Sequence, residues 1–197
     1  INPLEITPPS EPARGRLGAD ASPLTEKQER VSSFLANFFA HRGISLGDRR
    51  TTLELAIETA YRNAGITEDV TTHHRESPTL RDVIDVLEEL VDDPDEFTLR
   101  TEAEAEKLQA DATWLIDQLR PFAPDGQFAH LGRQSEVDFA AEDLIYLDLA
   151  QQEGRVGGRT SLVMQLLISL VYERAKQTEK EVVFVIDEAR YVLRDAE

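Results

Sequence analysis

The sequence predicts an α/β fold that is predominantly helical: a helical subdomain followed by part of a parallel sheet. Three observations predict it. Between residues 25 and 120, apolar residues recur at the three-and-four spacing of amphipathic helices. At residue 121 the texture changes, with Pro121, Pro124 and Gly126 marking a boundary. Beyond it come an apolar run, a Leu-rich helical stretch and a second apolar run, the order of a βαβ unit. The expected division is a strand end and Pro-rich linker (1–24), a helical insertion (25–120) and a partial sheet domain (121–197).

Each element has its local reason. Residues 1–6 read as a short strand end, and Pro8, Pro9, Pro12, Gly15, Gly18 and Pro23 make the following stretch a linker. Thr25 and Gln28 have capping-box spacing, and the helix they open carries Val31, Phe34, Leu35, Phe38 and Phe39, with Gly43 as its C′ residue. A second helix begins after Asp48, buries Leu53, Ala56, Ile57 and Ala60, and stops at Asn63-Ala64-Gly65. A third is expected to start at Ser77-Pro78, an N-cap followed by Pro at N1, with Leu80, Val83, Ile84, Leu87, Leu90 and Val91 on its apolar face. Thr101 and Glu104 open a fourth, which shows Leu108, Ala112, Leu115 and Leu119 and ends before Pro121. Four such stripes bury one another as a small bundle.

In the last third, 127–131 and 137–139 read as short strands, 143–149 as a longer strand, 160–175 as a helix and 181–186 as a buried strand.

Charge is the extreme feature of the composition. The formal net charge is −17, and only four of the 21 cationic residues are lysines (Lys27, Lys107, Lys176, Lys180). Such a surface repels nucleic-acid phosphates, so no broad nucleic-acid face is expected. An acidic interaction module is one reading. A protein of high-salt surroundings, where screening relieves self-repulsion, is the other, and the scarcity of lysine favours it. The absence of cysteine excludes disulfides and thiolate metal sites. No apolar run has the length of a membrane span, and the expected location is cytoplasmic. The chain opens on Ile1-Asn2-Pro3 rather than Met, and is read as a piece of a longer protein.

The chemistry-bearing candidate is the pair Asp187-Glu188. It closes the run Val182-Val183-Phe184-Val185-Ile186 and is followed by Ala189. Acidic residues are plentiful here, so idle solvated charge is the plain alternative. The functional reading rests on position, because ligands of open α/β sheets bind at the carboxyl ends of strands. An apolar strand ending in Asp-Glu-Ala has the form of a Walker B element. There Asp187 would hold Mg²⁺ through a water, and Glu188 would position the water that attacks a γ-phosphoryl group.

The phosphate-binding half does not match as well. The loop from Gly154 to Ser161 sits between a strand and a helix, where a Gly-x-x-x-x-Gly-Lys-Ser/Thr loop would sit. Gly154 and Gly158 are one residue too close, Glu153 stands where the first glycine should be, and Arg159 replaces the lysine. It reads as an ordinary loop opening a helix at Thr160 or Ser161. The four histidines, His41, His73, His74 and His130, have no metal-site spacing, and the adjacent pair reads as surface loop.

Taken in order, Asn2-Pro3-Leu4, the long helical stretch, Asp143-Leu144-Ile145-Tyr146-Leu147-Asp148-Leu149, the Leu-rich helix and Val185-Ile186-Asp187-Glu188-Ala189 resemble the ATPase domain of VirB4/TraC-type conjugation and type IV secretion ATPases. These belong to the HerA/FtsK-like group of RecA-type hexameric motors. The resemblance covers essentially the whole chain, and its acid-rich, lysine-poor composition suggests a haloarchaeal member. It implies a helical insertion in a RecA-like sheet, ATP and Mg²⁺ as ligands of the full-length protein, Asp187 as the magnesium-linked residue and Glu188 as the catalytic one. It also implies a homo-hexamer, secretion or conjugation components and DNA as partners, and a peripheral place at the inner membrane face. Arg190 stands where family members often have an aromatic residue, and it receives no role.

The Walker A loop and arginine finger are expected outside this chain, so the chain alone is expected to be inactive and to hold no nucleotide. A HerA/FtsK-like DNA translocase is the alternative within the class. A non-enzymatic acidic helical interaction module is the alternative outside it.

Overall fold

The computed structural model describes residues 1–6, 8, 22–94, 97, 101–136, 144–146, 159–177 and 181–186. Among them are five α-helices: α1 (Pro23–His41), α2 (Arg50–Asn63), α3 (Leu80–Asp92), α4 (Glu102–Leu119) and α5 (Arg159–Gln177). Short 3-10 turns at Gly47–Arg49, Val70–His74, Arg120–Phe122 and Ala129–Leu131 join or extend them.

The helices begin and end where backbone groups find partners. In α1, Ser22 rather than Thr25 is the N-cap, its hydroxyl accepting from the Thr25 amide at 3.3 Å. Pro23, with its fixed φ, sits in the first turn, and this moves the start ahead of the capping box read from sequence. The third helix is corrected the other way. Thr79 caps α3 in a reciprocal box with Asp82, the Thr79 amide donating to the Asp82 carboxylate at 2.7 Å. Ser77 and Pro78 are thereby left for another task. For α4 the Thr101 cap is as expected.

Both α1 and α2 close in Schellman motifs. Gly43 (φ 71°) and Gly65 (φ 72°) take the left-handed conformation, and the amides of Ile44 and Ile66 return to the carbonyls of Phe39 and Tyr61, each at 2.9 Å. At Gly65 the Arg75 guanidinium also lies where a Cβ would be, donating to the Gly65 carbonyl at 2.9 Å.

One core joins these elements. α1 packs on α2, α2 on α3, α3 on α4, and α5 returns to α1. The core holds Leu35, Phe39, Leu53, Ile57, Leu80, Leu87, Leu90 and Leu115, all essentially inaccessible. Phe38 meets Phe122 with ring centroids 4.7 Å apart and Phe128 edge-on at 5.7 Å. Aromatic residues past the 121 boundary thus seal the end of the helical bundle, and Leu4 and Ile6 enter the same core from the chain start.

The expected sheet does not appear among the described residues. Among the described residues no strand is formed, and the fold is helical. The stretch 127–131, read as a strand, contains the Ala129–Leu131 turn. Residues 144–146 and 181–186 are free of regular structure, with Leu144 88%, Tyr146 87%, Val183 76% and Val185 80% exposed. The physical reason is that an apolar β-branched run has the propensity of a strand, but a strand exists only when a neighbour takes its backbone hydrogen bonds. Among the described residues neither run is paired with another strand. The Leu-rich helix, expected to cross over such a sheet, instead lays Leu166 and Leu170 into the helical core. Residues 137–139 and the remainder of 143–149 lie outside the described residues.

Candidate functional site

Asp187 and Glu188 lie outside the described residues, as do Arg190 and the loop from Glu153 to Gly158. Ile186, the residue before Asp187, has a defined place. Val163, Met164 and Leu167 of α5 form a small second cluster, and Ile186 and Ile1 pack against it. The segment leading to Asp187 therefore leans on α5 through Ile186.

Two buried polar assemblies attach the outlying segments to the bundle. The first is built on Asn2, which is completely buried. Its amide group donates to the Pro78 carbonyl at 2.9 Å and to the Gln134 side chain at 3.1 Å. Its side-chain oxygen accepts from the Leu4 amide at 3.0 Å, and its backbone amide donates to the Ser135 hydroxyl at 2.8 Å. Ser77, displaced from capping, accepts from the Ile6 amide at 3.0 Å, and Gln134 donates to the Ser77 carbonyl at 2.6 Å. The Tyr61 hydroxyl donates to the Leu4 carbonyl at 2.6 Å. Residues 1–6, 77–78 and 134–135 are thereby knotted at one point. Burial pushes the Tyr61 phenol well above its ordinary value.

The second assembly joins α1 to α5. Lys27, only 4% exposed, pairs with Glu173 at 3.1 Å. Arg30 reaches the same carboxylate at 3.2 Å, and its guanidinium lies 5.1 Å over the Tyr172 ring. Loss of hydration pulls the Lys27 ammonium below its ordinary value even though Glu173 and, more distantly, Glu5 favour the charge. A cavity of about 220 Å³ adjoins the cluster, lined in part by Ser33, Gln165 and Ser169.

A wider cleft of about 1140 Å³ lies between the start of α3 and the 122–134 stretch. Its arginines are already paired, Arg81 with Asp85 at 2.7 Å and Arg133 with Glu136 at 3.0 Å. Its other walls carry Glu76, Asp82 and Glu89. It does not fit a triphosphate, because phosphate oxygens need uncommitted donors and cations rather than carboxylates.

The histidines gather no metal: among the described residues no group of three or more His, Asp or Glu is placed to hold one. His73 departs from the surface-loop expectation. It is buried at 1% exposure, with Nε2 2.9 Å from the Thr67 carbonyl, and so serves the 66–75 connection.

Sequence reading missed both polar assemblies, although one left a trace. Lys27 stands one turn before Val31 on the stripe of α1, and Glu173 follows Leu170 on the stripe of α5. A lysine and a glutamate in line with apolar stripes mark facing interior positions. Asn2, Gln134 and Ser135 left none, because their meeting depends on tertiary geometry.

No family model, no curated protein and no solved structure matches this chain. Among the described residues no helix is long and apolar enough to cross a membrane.

Proposed function

We propose that this chain is the helical insertion, with the adjoining acidic segment, of an ATP-driven motor of the conjugation and type IV secretion class that its motif order resembles. The observation that carries the reading is the Asn2 joint. An insertion must leave and re-enter its host at nearly one point, and Asn2 hydrogen-bonds directly to Gln134 and Ser135 across the span that holds α1 to α4. The Asn-Pro segment that supplies the resemblance at the chain start is the segment that makes this joint.

In this reading Asp187 and Glu188 serve ATP and Mg²⁺ in the full-length, hexameric, cytoplasmic protein. The bundle's own part is mechanical. Its helices share a main core, able to transmit a displacement between the Asn2 joint and its far end. In this reading the phosphate cradle comes from elsewhere in the motor.

The test is made on the full-length gene product. The reading expects a Gly-x-x-x-x-Gly-Lys-Ser/Thr loop upstream of Asn2 and magnesium-dependent ATP turnover that Glu188→Gln abolishes. A gene without that loop, or turnover indifferent to Glu188→Gln, overturns it. The second reading, an acidic helical interaction module, is favoured by one observation: among the described residues the helices share a core without any strand. It expects a stable chain with no nucleotide chemistry in any context.

A further inference from the structure

We propose that Glu173 is the catch of a two-position latch: seated between Lys27 and Arg30 it docks α5 on α1, and released it frees α5 together with residues 181–186. The proposal rests on the motor reading only for its consequence at Asp187 and Glu188; the latch itself is a property of the described helices.

Three features point to a catch rather than a fixed strut. First, the position Lys27 occupies is one where a leucine would pack. A buried ion pair is seldom more stabilising than the apolar side chains that could replace it, because desolvation offsets the attraction. Its presence makes docking conditional on charge, where a leucine would make it permanent. Second, the carboxylate has somewhere to go. The cavity beside it has mixed walls, and among the apolar side chains Ser33, Gln165 and Ser169 offer hydroxyl and amide partners to a displaced carboxylate or to water. Third, α5 carries a load of its own. Val163, Met164 and Leu167 carry Ile186, the residue before Asp187. A shift of α5 away from α1 therefore moves the segment that ends in the acidic pair. Glu173 acts here as a positioning residue.

Hydrogen exchange read by mass spectrometry on the purified chain tests this without nucleotide. Glu173→Gln is expected to speed exchange in peptides covering 159–177 by about tenfold or more, the scale on which an unpaired buried charge is felt. Peptides of α3 and α4 are expected to keep wild-type rates. The double variant Lys27→Met/Glu173→Leu, which replaces the pair by apolar contact, is expected to return α5 to wild-type protection or beyond. Wild-type exchange of α5 in Glu173→Gln would overturn the latch. So would a rise spread evenly over all helices, the mark of a merely structural ion pair, or a double variant as open as Glu173→Gln. None of these outcomes depends on ATP, so the latch and the motor reading fail separately.

Discussion

The helical core and the two apolar segments at 144–146 and 181–186 are made of similar residues and end in opposite states. Leu87 and Leu115 are sealed from solvent, whereas Leu144 and Val185 are largely exposed. The difference lies in where backbone hydrogen bonds come from. A helix supplies its own, so α3 needs only the Thr79–Asp82 cap and a neighbour for its stripe. A strand owns half of each bond and waits for another chain segment to supply the other half. The core also answers every entering segment with specific partners: Asn2, Ser77 and Gln134 satisfy the chain start, and Lys27 and Arg30 hold α5.

The widest separation between the two regions should come from truncation. Leu87→Ala, in the middle of the α3 stripe, is expected to cost about 2–5 kcal/mol, because the surrounding helices cannot collapse fully onto the cavity. Val185→Ser should change stability by no more than about 0.5 kcal/mol, as exposed substitutions do. Urea unfolding followed by circular dichroism measures both. A cost at Val185 approaching that at Leu87 would mean that 181–186 is paired in solution, and the contrast between the regions would collapse.

Asn2→Ala should come next. It strips partners from the Leu4 amide and the Pro78 carbonyl, both inside the joint. Each buried polar group left alone costs about 1–3 kcal/mol. The same urea experiment is the measure, and an effect as small as that at Val185 would show that the chain start is not held by this network.

How much was legible follows from the same contrast. The helices could be read because their stripes and caps are local; Leu53, Ala56, Ile57 and Ala60 alone announce α2. Starts were misplaced where two caps competed, as at Ser22 and Thr25, or where tertiary contacts claimed the first candidate, as at Ser77. The sheet was over-read because Val182 to Ile186 has strand propensity whether or not a partner exists. The Asn2 joint spans residues 2, 61, 77–78 and 134–135, a convergence no local pattern encodes. Asp187 and Glu188 stay where sequence and resemblance put them, as residues of the proposed function.

Tyr61 and Lys27 give effects of intermediate size with opposite pH signatures. Tyr61→Phe leaves the Leu4 carbonyl without its donor and is expected to cost about 1–2 kcal/mol at neutral pH. The folded state holds the phenolic proton more tightly than the unfolded chain, whose value is near 10.0. The stability this represents is intact below that pH and is lost as pH rises past it toward the folded value. Tyr61→Phe should flatten that alkaline loss.

For Lys27 the sign reverses. The folded state holds its proton less tightly than the unfolded chain, near 10.5, so stability grows as pH climbs from the folded value toward 10.5. Lys27→Met should remove that gain. Urea midpoints between pH 8 and 11 separate the two, and unchanged profiles in both variants would mean that neither group is buried in solution.

The smallest effect is expected from salt, and it too divides the molecule. With a net charge of −17, the acidic exterior repels itself at low ionic strength, and molar KCl shortens the reach of that repulsion to a few ångströms. The midpoint of thermal unfolding should therefore rise with KCl. The Lys27–Glu173 pair, enclosed between α1 and α5, is screened far less than an exposed pair such as Arg50–Glu54. Salt should thus stabilise the bundle without loosening α5. Equal thermal midpoints at low and high KCl would remove the high-salt reading of the composition. A bundle stabilised while α5 exchange accelerates would show instead that solvent ions reach Glu173, and that the face between α1 and α5 opens more readily than its burial implies.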